Sequence, residues 1–290
     1  MLTRKIQKNE YPVLMRQIEK LPESMDMAGT LPPDDYKYLC VIGSRAHTTY
    51  GKDVCTRLIQ GLRNYPIVIV SGMAIGIDSI AHEAALSADL QTIAFPGSGL
   101  DEKVLYPSSR RELARRIIEN GGALFSPFDV DQTGTKWTFP VRNSLMAASS
   151  HAILIIEAKE KSGTLITATA AGEFSRDLLA VPGDIFSPSS QGPNKLLREG
   201  AVAIRNSDDI LEALNLRSNT EQTNQTLFDL ENDSFSPEEK SIITCLRSGY
   251  ASSTILMEKT FLEASQFNII ISELELRNVV KESGGRYRLM

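Results

Sequence analysis

Six short apolar runs, each halted by a turn of Gly, Ser, Thr, Pro or Arg, predict an α/β fold with a doubly wound, mostly parallel sheet. Helical periodicity recurs between the runs, and regular βα alternation puts helices on both faces of such a sheet. Three helical patterns and a hairpin signal near the end predict a small C-terminal winged-helix domain.

Residues 1–38 read as an N-terminal helical and turn extension, with a helix from about Pro12 to Lys20 and turns at Pro22, Gly29 and Pro32-Pro33. The domain 39–216 follows. Its strands are LCVIG from Leu39, IVIV from Ile67, TIAF from Thr92, ALF from Ala123, AILIIEA from Ala152 and LLAV from Leu178. The first helix spans Gly51 to Asn64, with Val54, Leu58, Ile59 and Leu62 on one face. Further helices are expected over Asp78–Ala88, Ser109–Asn120, Arg142–Ser149, Leu165–Ser175 and Ser207–Leu214.

Residues 217–235 are polar and acidic and read as a linker. In 236–290, Ser236-Pro237-Glu238-Glu239 supplies an N-cap, a first-turn proline and a capping-box glutamate, and Gly249 ends that helix. A short helix near Ser252–Glu258 precedes a longer one running to about Leu276, whose apolar side holds Ile269, Ile270, Leu274 and Leu276. Gly284-Gly285, between Val279-Val280 and Tyr287-Arg288-Leu289, signals the hairpin.

With 290 residues, 42 % hydrophobic and 23 % charged, the chain can bury a sizeable core. No apolar run reaches transmembrane length and the start lacks a signal-peptide core, so no membrane association and a cytoplasmic location are expected. Cys40, Cys55 and Cys245 are isolated, which fits a reducing compartment and offers no zinc knuckle. The net charge of −5 is uneven, because 212–233 holds one cation against five acids. Any anion site must therefore come from local clustering.

Such clusters sit at the strand ends. Gly43-Ser44-Arg45, with Thr48 behind it, joins the first strand to its helix, where unpaired backbone N–H groups and a guanidinium favour an anion. Lys159 to Thr164, containing Lys161, Ser162, Gly163 and Thr164, is a second turn of this kind. Lys136, Trp137, Phe139, Arg142 and Asn143 interleave cations with aromatic rings, a mixture suited to unstacked nucleotides. A Trp–Phe pair such as Trp137 and Phe139 is more often core, and Asn143 opening a helix also reads as a cap. Arg110 and Arg111, with Arg115 and Arg116 a turn later, form the densest basic patch, which is also what a solvated helix face looks like.

The inventory excludes several enzyme classes. There is no GxGxxG after the first strand, no Walker A sequence, no HExxH and no GxSxG elbow. Asp78 and His82 share a helical face at i, i+4, an arrangement more typical of a buried pair than of a catalytic one. No catalytic residue, metal ligand or cofactor site emerges.

Read in order, YPVLMRQI, GSRAHTTYGK, SGMAIGID, GSGLD, FPVRN, EAKEKSGTLITA, AVPG and GPNKLLREGA resemble the DNA-processing protein A family (DprA, also called Smf). The resemblance implies a Rossmann-like protein that binds single-stranded DNA, protects incoming strands in natural transformation and helps load the RecA recombinase. It implies a homodimer, no cofactor, and a short form lacking the extra N-terminal helical domain of many members. The implied DNA pocket uses Gly43, Ser44, Arg45, Lys136, Arg142, Asn143, Lys161, Ser162, Gly163 and Thr164. Two positions depart from the family pattern: Ser144 replaces a second arginine, and Pro127 replaces an acid. The alternative is a nucleotide-binding sensor or nucleotide hydrolase on a related scaffold, with Pro96-Gly97-Ser98-Gly99 at its phosphate turn.

The last 57 residues balance seven cations against seven acids, and their longest helix carries Glu263, Glu273 and Glu275. A duplex reader relies on a basic recognition face, so this domain is expected to contact protein instead.

Overall fold

Each of the six apolar runs forms a strand in the computed structural model of the chain, which describes residues 2–216, 235–247, 252–277, 279–283 and 286–289. The sheet has nine strands: β1 (Thr3–Gln7), β2 (Ser24–Gly29), β3 (Lys37–Ile42), β4 (Ile67–Ser71), β5 (Gln91–Ala94), β6 (Ala123–Ser126), β7 (Ala152–Ile155), β8 (Asp177–Ala180) and β9 (Val202–Ala203). Their order is β1-β2-β6-β5-β4-β3-β7-β8-β9. All pairs from β6 to β9 are parallel, whereas β1 and β2 run antiparallel at one edge.

Among the described residues, eight α-helices accompany these strands in the first of two compact units, Met1–Asn219. They are α1 (Val13–Arg16), α2 (Thr49–Gln60), α3 (Ile77–Ser87), α4 (Arg111–Glu119), α5 (Thr138–Ser149), α6 (Thr164–Glu173), α7 (Gln191–Arg198) and α8 (Ser207–Ala213). The period-two alternation of strands divides the core. From β3, Tyr38, Cys40 and Ile42 join Val68, Val70, Ile153 and Ile155 beneath Leu145 and Met146 of α5 and Ala168 and Ala171 of α6. Leu39 and Val41 face the other way, with Ile67, Ile69 and Leu154, against α2, α3 and α8. Each fully buried Val, Leu or Ile contributes roughly 1.5–3 kcal/mol, so burial on both faces accounts for the unbroken apolar runs.

The opening residues depart from the helical and turn extension expected for 1–38. Only one turn of α-helix forms, at α1, while β1 and β2 pair with each other and then with β6. Ile6, Tyr11, Met15, Met25 and Met27 are buried in the same core as β3 and β7, so this stretch is an integral edge of the sheet. It closes the hydrogen-bonding edge that β6 would otherwise present to solvent.

The second unit, Thr220–Met290, contains α9 (Pro237–Arg247), α10 (Ser253–Thr260), α11 (Ala264–Leu276) and the antiparallel pair β10 (Val280–Ser283) and β11 (Arg286–Leu289). The capping box forms as its sequence predicts: Glu239 N–H donates to Ser236 Oγ at 3.2 Å, and Ser236 N–H to Glu239 Oε2 at 2.7 Å. Ile242, Leu256, Phe267, Ile271 and Leu274 form its core. The expected linker (217–234 of it), Gly249 and Gly284-Gly285 lie outside the described residues. Among the described residues, no helix is long and apolar enough to cross a membrane.

Candidate functional site

Strand order reverses at β3: the chain moves from β3 outward to β4, β5 and β6, then returns to β7 on the opposite side. The loops following β3 and β7 therefore diverge and leave a crevice outside the carboxyl ends of the sheet, where α/β proteins bind ligands. It measures about 470 Å³ and is lined by Gly43, Ser44, Arg45, Asp78, Lys136, Phe139, Arg142, Asn143, Lys159, Lys161, Ser162, Gly163 and Thr164.

Local chemistry shapes both loops. Gly43 packs against Ile77, whose side-chain atoms would lie 2.8–3.0 Å from an added Cβ. Gly76, at φ +98°, turns the β4–α3 connection beneath the Ser44 and Arg45 backbone, and Ile77 N–H donates to the Ser44 carbonyl at 3.2 Å. Ser44 Oγ accepts from Ala46 N–H, and Ser162 Oγ from Thr164 N–H, each at 3.1 Å. Thr164 Oγ1 donates to the Gly43 carbonyl at 3.3 Å, joining the two loops across the crevice. Nothing lies within 4 Å of a Cβ built on Gly163, so the start of α6 is open.

The cations divide into two classes. Arg45, Lys136, Lys159 and Lys161 are exposed. The Arg45 guanidinium lies 5.3 Å from the centre of the Phe139 ring, which also packs on Tyr106 at 5.6 Å. Arg142 also lines the crevice, but its guanidinium is tied to the scaffold. It is 4 % exposed, and its Nη1 donates to the carbonyls of Gly72 and Phe95, the latter at 2.9 Å, at the ends of β4 and β5. Its Nε donates to Asn143 Oδ1 at 2.9 Å. Asn143 is thus a partner of Arg142 inside α5 rather than a cap, because that helix starts five residues earlier than Asn143, at Thr138.

Asp78, 6 % exposed, is the carboxylate that lines the crevice floor. Burial pushes its pKa up, while Arg142, the Ala74 backbone, Arg45 and the Gly43 backbone pull it back. Its helical neighbour His82 is fully buried, hydrogen-bonds Thr92 Oγ1 at 2.7 Å, and is driven down to about 3 by burial.

Four expected site residues lie apart from the crevice lining. Thr48 caps α2, accepting from Gly51 N–H at 3.1 Å, and is held from behind by Glu157. Trp137 stands outside, 74 % exposed, with Lys136 Nζ 4.9 Å from its ring centre. Arg110 and Arg111 are on a different face: Arg110 pairs with Glu83 of α3 at 3.9 Å, and Arg111 donates to the Lys103 carbonyl at 3.0 Å.

Glu157, not singled out in the sequence, organises the rim. It follows β7, is 2 % exposed, and accepts from Thr48 N–H at 2.9 Å, Thr48 Oγ1 at 2.5 Å and Ser189 Oγ at 3.1 Å. A Cβ on Gly51 would lie 2.9 Å from Glu157 Cγ, so glycine there leaves room for the carboxylate. Its one trace in the sequence is an acid directly continuing the buried run AILII. No cluster of three or more metal-binding side chains occurs among the described residues.

A family model described as DNA recombination-mediator protein A matches residues 3–215. The chain belongs to that family. Similar members include protein Smf of Escherichia coli, 36 % identical over 70 % of this chain and 54 % of that protein. DNA processing protein DprA of Streptococcus pneumoniae is 37 % identical over 69 % of this chain and 70 % of its own length. The chain thus spans about half of the E. coli relative's length. A solved structure of DNA processing protein A from Helicobacter pylori, reported for its single-stranded DNA binding mode, superimposes with a TM-score of 0.66 at 29 % identity, covering 74 % of this chain and 96 % of that one. The X-ray structure from S. pneumoniae gives 0.67 at 35 % identity, with 72 % and 73 % covered. Both family structures share the α/β architecture with its mostly parallel central sheet.

Proposed function

We propose that this chain binds single-stranded DNA in the crevice at the ends of β3 and β7 and does so without chemical change. The carrying observation is the ring of exposed cations, Arg45, Lys136, Lys159 and Lys161, around an open crevice lined in part by the half-buried Phe139 ring. Cations take phosphates and a ring takes a base, the pairing that suits an unstacked strand. Family membership and the strand binding reported for the H. pylori relative support the reading.

In this reading the protein is a cytoplasmic homodimer that shields exposed strands during recombination or DNA uptake and passes them to the RecA recombinase. Residues 236–290 are its winged-helix domain, in keeping with the order of three helices and a hairpin. A fluorescence titration against single-stranded and duplex oligomers of equal length tests the proposal. Preference for the single strand is expected, with affinity falling with salt at a slope of about −0.7 per phosphate neutralised. Arg45→Ala flattens that slope and weakens binding to all sequences alike. Equal affinity for duplex, or release of base from mononucleotides, overturns the proposal.

A further inference from the structure

The helix α11 exposes two large apolar side chains besides its buried side. Phe267, Ile271 and Leu274 are buried in the core of their unit, yet Ile269 is 62 % and Leu276 is 84 % exposed. Ser265, Ile269, Ser272 and Leu276 follow one another at spacings of four, three and four, so Ile269 and Leu276 share one stripe with two small serines between and before them.

Just before this stripe stands Phe261, at the end of α10. Its backbone is left-handed (φ 55°, ψ 30°) and its side chain is 94 % exposed. Glycine holds that conformation at little cost, whereas a bulky residue there is strained. A ring left in water returns no burial energy to the fold either. Phe261 thus costs its unit twice, and outliers of this kind occur where a side chain serves recognition.

The charges define what would cover the face. Glu263 and Glu273 are exposed beside it, and α11 contains no Lys or Arg. The next cation, Arg277, is turned back to Glu239 at 2.9 Å and stacks 4.4 Å from the Phe235 ring centre. Of the unit's other cations, Lys240 and Arg247 are on α9, and Lys281, Arg286 and Arg288 are on β10 and β11. Lys259 in the last turn of α10 is the one near Phe261, leaving α11 itself acidic. DNA in contact with α11 would meet carboxylates, and a second copy applied through the same face would set acid against acid.

We propose that Phe261, Ile269 and Leu276, flanked by Glu263 and Glu273, form a docking surface for a basic segment of another protein that carries apolar anchors. Strand binding in the crevice is not required for this surface to operate. The apolar residues supply anchorage, and the carboxylates select Lys- or Arg-bearing partners over neutral ones.

The test uses the full chain and a labelled amphipathic Leu/Lys helical peptide of about 18 residues, five turns long. Controls are the same peptide with Glu for Lys, and with Ser for Leu. The basic apolar peptide is expected to bind in preference to both. Phe261→Gly relieves the backbone strain, so the unfolding temperature stays level or rises while affinity for the basic peptide falls about tenfold or more. Glu273→Lys keeps the fold and shifts preference toward the acidic peptide. Native-like peptide binding by Phe261→Gly overturns the proposal. So does a loss confined to duplex binding, which would make the face a nucleic-acid reader, or a loss confined to self-association, which would make it a contact between copies. None of these outcomes alters the single-strand titration, so the two proposals fail separately.

Discussion

Replacing Glu157 by Gln preserves shape and removes the charge that holds the rim together. In the native chain one carboxylate oxygen accepts from Thr48 N–H, and the other from the hydroxyls of Thr48 and Ser189. An amide must put its NH2 in one of these places. Facing Thr48 N–H, it sets donor against donor. Facing the hydroxyls, it forces Thr48 Oγ1, which already accepts from Gly51 N–H, to leave its own proton without an acceptor. A hydrogen bond to a charged group contributes about 1.5–3 kcal/mol, and an orphaned buried donor costs about 1–3 kcal/mol. Removing a buried charge recovers part of this, so the net loss is about 2–3 kcal/mol. For a unit of this size that lowers the unfolding temperature by about 4–12 °C. Circular dichroism melts of Glu157→Gln beside the native chain provide the measurement. A shift within about 1 °C refutes the reasoning, because it means that the three bonds add no more than a solvated carboxylate would.

Three further outcomes follow from the same geometry. Arg142→Met leaves Asp78 without its main buried counter-charge and frees the carbonyls of Gly72 and Phe95, so stability drops by about 3–5 kcal/mol in urea unfolding; a stable Arg142→Met with only weakened DNA binding contradicts the scaffold role. Trp137 is the one tryptophan in the chain and is exposed, so intrinsic fluorescence is quenched on adding oligodeoxythymidine. Trp137→Ala then weakens binding by about 1–3 kcal/mol with an unchanged melt, whereas unaltered emission removes Trp137 from the strand's path. His151 accepts Tyr38 N–H at 3.0 Å, and burial, with Lys37 and Arg176 nearby, holds its pKa down to about 4. Between that value and the unfolded value of about 6.5 only the unfolded chain takes the proton, so stability is complete above this window and falls as pH drops through it. Urea midpoints at pH 7 and 5 should differ less in His151→Asn, and an equal difference in both proteins argues against this linkage.

What the sequence showed and what it hid follow from how each residue is buried. The six central strands were legible because parallel strands are covered on both faces and read as unbroken apolar runs, as in LCVI and AILI. β1 was not, since TRKIQ buries only Ile6, and β2 uses Met25 and Met27, residues with weak strand preference. The carboxyl-end loops announced themselves through glycines, hydroxyls and lysines. Arg142 and Arg45 look alike in one dimension, and only the carbonyls of Gly72 and Phe95 separate the buried cation from the exposed one. Arg110 and Arg111 formed a dense basic cluster on paper, yet the chain carries them to Glu83 and to the Lys103 carbonyl. Glu157 stayed hidden among the charges of EAKEK because its partners, Thr48 and Ser189, are remote in sequence.

The committed guanidinium of Arg142 has an evolutionary consequence. Since the innermost cation is bonded to the scaffold, the proposed strand binding would rest on Arg45, Lys136, Lys159 and Lys161, whose solvent-facing heads contribute little to folding. Lineages can gain or shed those positive charges one at a time without crossing a poorly folded intermediate. A library randomised at these four positions should consequently remain almost wholly foldable while spanning a broad range of binding strengths.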